Sequence, residues 1–181
     1  MMMEMKKVLL IFSAFAFLFV ASPAHAVSLS LSPETSSNAK VLTVDVFIDT
    51  EGKETTGADF VGTFDRDKLR LISVNPGIIY DTYTPAIIDN NGGKVSVSGL
   101  VQPQKSYKGS GKFAQLVFEP VKNGEASINI TFKKGDRNDS NVADMTGNDI
   151  LAEVDNAVVA VKGKGGYSWF QNLLDILIFW D

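Results

Sequence analysis

Along most of the chain, apolar and polar residues alternate in short runs separated by turn-forming residues. The clearest run is 40–49 (KVLTVDVFID), where Leu42, Val44, Val46 and Ile48 share one face and Thr43, Asp45, Phe47 and Asp49 the other. A period of two is the signature of a half-buried strand. The same reading predicts strands over 27–31, 58–64, 69–74, 86–89, 94–100, 112–119, 126–132 and 154–161. Asn90-Asn91-Gly92-Gly93 between two of these runs reads as a tight hairpin, because those residues tolerate positive φ. Nine short strands with regular turns and no convincing internal helix predict an all-β sandwich with one core between two sheets.

The two ends break the pattern. Lys6-Lys7, the apolar run Val8–Val20 and Ala24-His25-Ala26 follow the plan of a secretory signal peptide cut after Ala26. That apolar run is shorter than the ~20 residues a membrane span needs. The expected location is therefore outside the cytoplasm: extracellular, at the cell surface or periplasmic. The sandwich domain is expected over 27–161, followed by a Gly/Lys linker at 162–166 and an apolar tail at 167–181. On helical spacing the tail gathers Trp169, Phe170, Leu173, Leu174, Leu177 and Trp180 on one side. A short apolar helix of this kind associates with a membrane, with a partner or second copy, or with its own domain. The tail also suits a structural or adhesive surface protein.

Composition then removes whole classes of chemistry. The chain has no Cys and one His, and that His25 lies inside the expected signal. The exported protein is left without imidazole or thiol, so Ser-His-Asp and Cys-His catalysis, His/Cys zinc sites and disulfides are excluded. A formal net charge of −4 with no basic cluster argues against nucleic acid as a partner. The carboxylate pairs Asp45/Asp49 and Asp65/Asp67 fall on a strand's outward face and in a turn, not across a cleft as glycoside hydrolysis requires. The chain does not read as an enzyme and needs no cofactor.

Two other groups carry binding chemistry. Asp136, Asn138, Asp139, Asn141 and Asp144 crowd the polar stretch 133–149 and offer the oxygen ligands that Ca²⁺ takes. They miss the EF-hand spacing, with Asn141 where Gly is needed and Gly147 where Glu is needed. Asx side chains in loops also simply bond their own backbone. Tyr80, Tyr83 and Tyr107 fall in expected loops, where aromatic faces can stack on sugar rings, so carbohydrate binding is an alternative.

The segment 55–81 (TTGADFVGTFDRDKLRLISVNPGIIYD) resembles the early part of a cohesin domain: a strand ending in an aromatic-Asp step, a short turn, a second strand and an Asn-Pro-Gly loop. The stretches SYKGSGKFAQLVFEPVKNGEASINITF and DSNVADMTGNDILAEVDNAVVAV resemble the later part in order and spacing. The resemblance spans 27–161. It implies a nine-stranded jelly roll related to cellulose-binding modules, non-catalytic, whose partner is a dockerin, a small calcium-loaded helical module, with a link to extracellular polysaccharide breakdown. It further implies a binding face on one sheet with Asp59 as a hydrogen-bonding contact and Val61, Thr63, Ser96 and Ser98 beside it. Gly57 stands where dockerin-binding members often carry Asn.

Overall fold

The computed structural model describes residues 26–34 and 41–163. The expected signal peptide, the polar loop at 35–40 and the apolar tail with its six helix-spaced residues lie outside the described residues. Among those described there is no helix, so none crosses a membrane.

Twelve strands form two sheets. The first sheet holds β1 (Ser28–Pro33), β2 (Leu42–Asp49), β4 (Leu69–Pro76), β8 (Ser110–Pro120) and β11 (Glu153–Asp155), in the order β11-β1-β2-β8-β4. The second runs β12 (Ala157–Val161), β9 (Gly124–Ile130), β3 (Thr55–Phe64), β7 (Lys94–Leu100) and β5 (Thr82–Tyr83). Off that path, β10 (Asn141–Asp144) pairs β3 and β6 (Ile87–Asp89) pairs β7. All pairings are antiparallel except β1 with β11.

The all-β sandwich is as expected, but the nine runs become twelve strands for identifiable reasons. The run 154–161 bends at Asn156 and changes sheets: β11 pairs β1, then β12 pairs β9. The Asn156 side-chain oxygen accepts the Ile130 N–H at 2.7 Å and fixes this corner. The two-residue β5 includes Tyr83, expected in a loop, and β10 lies inside the polar stretch 133–149. Both are short strands completed by long-range pairing, which local alternation does not reveal.

The inward faces meet in one core. Phe60, Phe113 and Phe118 are fully buried, with Leu29, Ile48, Leu116 and Ile128 among them. Phe64 meets Phe118 edge-on across the sheets, at 5.3 Å between ring centroids. Fully burying each such side chain contributes roughly 1.5–3 kcal/mol. At the β6–β7 hairpin, the Asp89 carboxylate accepts the N–H groups of Asn91 (3.0 Å) and Gly92 (2.8 Å). Gly93 completes the turn at φ 63°, where a Cβ would sit 2.5 Å from the Phe64 carbonyl oxygen. Asn90 then reaches to the other sheet, accepting the Leu71 N–H at 2.8 Å and donating to the Leu71 carbonyl at 3.1 Å.

Candidate functional site

The five face residues expected from sequence come together on the outer surface of the second sheet. Alternation along β3 buries Ala58, Phe60, Gly62 and Phe64 and turns Asp59, Val61 and Thr63 outward. Along β7 it buries Val95, Val97 and Gly99 and turns Ser96, Ser98 and Leu100 outward. The register places Asp59 opposite Ser98, Val61 opposite Ser96 and Thr63 opposite Lys94. On the other side of β3, Asp59 faces Asn141 and Thr63 faces Asn129. Asp59 is exposed, and no cation or donor among the described residues engages its carboxylate. Among the described residues it stands as an unpaired charge between a hydroxyl and an amide.

The face is continuous because of a side-chain clasp. β9 pairs β3 only from Gly62 onward, and β10 pairs it only up to Asp59, leaving Phe60 and Val61 between them. Ser140 closes the gap: its hydroxyl accepts the Val61 N–H at 2.9 Å and donates to the Val61 carbonyl at 3.0 Å. Ser140 is fully buried. The Thr131 N–H also bonds the Val61 carbonyl, and the Ser140 N–H bonds the Thr131 carbonyl. The intervening segment thus projects beside the face without breaking it.

Three neighbours of this face do not stand out in sequence. Leu100 and Ile87 keep 53% and 70% of their surface exposed, on rows on either side of the Asp59–Ser98 row. Asn141 reads as a metal ligand in sequence yet lies beside Asp59. Leu100, two residues beyond Ser98, was within reach of the alternation argument. Ile87 and Asn141 needed the strand register.

The three tyrosines also come together, around a buried Tyr80. Tyr80 is only 4% exposed and meets Tyr107 (5.8 Å) and Phe113 (5.9 Å) edge-on. Tyr83 lies 5.4 Å from Phe113 and, like Tyr107, is half-buried. Gly99 and Gly111 provide the space: a Cβ on Gly99 would come within 2.8 Å of both Tyr80 and Tyr83, and one on Gly111 within 2.8 Å of the Tyr107 hydroxyl. Tyr80 presents no ring face for stacking on a sugar, which corrects the expectation of loop-exposed rings. The Tyr80 hydroxyl bonds Thr55 Oγ1 at 3.0 Å, and burial pushes its pKa up to about 12. Burial also raises Tyr83 and Tyr107.

The acidic stretch is engaged with its own backbone. Asp136 accepts the N–H of Asn138 at 3.0 Å, and this bond leads in holding its carboxyl below the ordinary range. The buried Asp139 accepts the Lys133 N–H, while Asn141 donates to the Asp139 carbonyl at 2.7 Å. Asp144 accepts the Thr146 hydroxyl and N–H at 2.7 Å and the Asn148 N–H at 3.0 Å, which holds its pKa down as well. Among the described residues no three acidic side chains gather as a metal set. Asp45 is likewise occupied, with Lys112 at 2.5 Å and Gln115 at 3.0 Å.

Comparison with known proteins matches residues 29–154 to the cohesin domain model. Among curated proteins no relative matches. Of solved structures, the sixth cohesin of scaffoldin B from Acetivibrio cellulolyticus, in complex with a mutant Cel5 dockerin, is similar at TM-score 0.61 and 22% identity, over 76% of this chain and 100% of that one. A type I cohesin–dockerin complex from Clostridium thermocellum gives TM-score 0.62 at 15% identity, over 76% and 100% of the two chains. A non-cellulosomal cohesin from the archaeon Archaeoglobus fulgidus gives TM-score 0.58 at 11% identity, over 78% and 94%. At these identities the likeness is one of fold.

Proposed function

The chain belongs to the cohesin domain family, and from that membership we propose that it is a non-catalytic recognition module that binds a dockerin-like protein through the outer face of the β3–β7 sheet. The observation that carries the reading is the exposed, unpaired Asp59 carboxylate at the centre of a continuous face, flanked by Ser98 and Asn141. A charge left free on a well-ordered sheet costs the fold little and gives a partner's hydroxyl or cation a fixed acceptor. Complexes of related cohesins with dockerins support the partner class. The existence of a non-cellulosomal relative means that the module need not belong to a cellulosome. The signal-like start and the apolar run at 167–181 support an exported protein held at the cell surface by its tail, in contact with membrane.

The test is titration of the full chain with a panel of calcium-loaded dockerins from type I and type II complexes. At least one is expected to bind, and Asp59→Ala is expected to weaken it by about 30-fold or more, as for a central interface residue. The melting temperature should stay unchanged. Binding that ignores Asp59→Ala, or no binding across the panel, refutes the reading. Deleting 163–181 should release the protein from the cell fraction into the medium. Retention after deletion refutes the anchoring role.

A further inference from the structure

We propose that Leu100 is the specificity-determining residue of this face. It selects a partner helix that carries a branched aliphatic side chain one turn away from a hydroxyl or cationic one. This rests on the reading that a dockerin-like helical module docks on the face.

The first observation is the contact between Leu100 and Gly57, which are opposite each other in the β3–β7 register. A Cβ on Gly57 would lie 2.7 Å from Leu100 Cδ2 and 2.9 Å from the Gly99 carbonyl oxygen. The leucine side chain therefore lies flat across bare backbone. Gly57 is buried although it belongs to the outward set of β3, because Leu100 covers it. Any side chain at 57 would lift Leu100 away. The remaining 53% exposure of Leu100 faces outward as a preformed apolar platform.

The second observation is the order of rows along the strands. One row holds Thr82, Leu100, Gly57 and Ala143. The next holds Ser98, Asp59 and Asn141. The third holds Ile87, Ser96 and Val61. The face thus reads apolar with Thr82 at its edge, then anionic with a hydroxyl and an amide, then mixed with two apolar members. Rows two residues apart are separated by about 6.8 Å along a strand. Residues four apart on an α-helix rise about 6 Å. A helix lying along β3 and β7 matches the three rows with positions i, i+4 and i+8. It would place an aliphatic residue on Leu100, a donor on Asp59 and an aliphatic residue between Val61 and Ile87. Charge complementarity fixes the centre, since the unpaired carboxylate requires a donor, and Leu100 fixes the neighbour on one side. An oligosaccharide would find no exposed aromatic ring on these rows.

The experiment is a display library on a calcium-loaded dockerin scaffold, with the exposed positions of its recognition helix randomised, sorted against the full chain. Clones selected on the native sequence should be enriched in Leu, Ile or Val three or four positions from Ser, Thr, Lys or Arg. Those clones should lose at least about tenfold in affinity on Leu100→Asn, lose affinity on Asp59→Asn, and keep it on Leu100→Met. Leu100→Thr serves as a second truncation, and melting temperatures confirm that all variants are folded. Selected clones that bind Leu100→Asn within twofold of the native chain, while still weakened by Asp59→Asn, overturn the role of Leu100 and leave the docking face standing. A failure to select any binder, or indifference to Asp59→Asn as well, overturns both.

Discussion

Raising the pH on the native chain and on Tyr80→Phe tests the interior tyrosine cluster. In the unfolded chain the Tyr80 hydroxyl titrates near 10, whereas burial raises it to about 12 in the fold. A group whose folded pKa is raised contributes stability fully below its unfolded value and loses it as pH climbs through the folded one. Each pKa unit is worth about 1.4 kcal/mol, so by pH 12 the native chain loses about 2 kcal/mol through Tyr80 alone. At pH 8 the variant lacks one hydrogen bond, the 3.0 Å contact with Thr55, whose hydroxyl keeps its 2.9 Å bond to the Tyr107 carbonyl. That loss costs about 1 kcal/mol. The two stability curves should therefore cross near pH ~11, the native chain being more stable below and the variant above. Urea unfolding followed by circular dichroism from pH 8 to 12 measures this directly. Tyr83, Tyr107 and the lysines titrate in both proteins and largely cancel in the difference. A difference that stays constant across the range would refute the burial of this hydroxyl and reopen the cluster as a surface feature.

Other outcomes follow from the same contacts. Gly99→Ala should destabilise the fold by about 1–3 kcal/mol or more, since its Cβ meets Tyr80, Tyr83 and Phe113 within 2.9 Å; a neutral result in chemical denaturation would contradict the packing. Ser140→Ala should cost roughly 1–3 kcal/mol by leaving polar backbone at Val61 with fewer partners, and amide exchange at Val61 should accelerate; unchanged exchange would remove the clasp. Asp136 and Asp144 have depressed pKa values, so their contribution is complete above pH ~4 and lost on acidification below it. The melting temperature of Asp144→Asn should accordingly fall less between pH 5 and pH 2.5 than that of the native chain, and an equal fall would refute the stabilising effect of its bonds to Thr146 and Asn148. Added Ca²⁺ should leave the melting temperature of the isolated chain unchanged, because these carboxylates already hold their own backbone; a rise would reinstate a metal site.

The alternating strands were legible because one side of each is buried. Leu42 to Ile48 and Ala126 to Ile130 announce their inward faces without help from neighbours. Asp59, Val61 and Thr63 came from the family resemblance, and the alternation of β3 turns them away from the side of Phe60 and Phe64. What alternation does not carry is the identity of the opposing strand. Asn156 looks like any polar residue within a β-rich run, and only its bond to Ile130 makes it a corner between sheets. Tyr80 sits in a stretch with turn residues on both sides, and its burial depends on Gly99, far along the chain, having no side chain. Asn141 shares its composition with a metal loop, but pairing with β3 sets it beside Asp59. Leu100 becomes a candidate for partner choice only once Gly57 is seen beneath it.

The Ser140 clasp separates two properties that hairpins usually tie together, loop length and strand register. Because one hydroxyl serves both backbone groups of Val61, and Asp139 ties back to the Lys133 N–H, the tip between them is anchored at its base. Gly135, at φ 83° with open space around it, lies on that tip. Residues inserted there would change what stands at the rim of the face while β3, β9 and β10 keep their alignment. This makes the tip a grafting point, where new recognition elements can be added beside Asp59 without redesigning the sandwich that presents it.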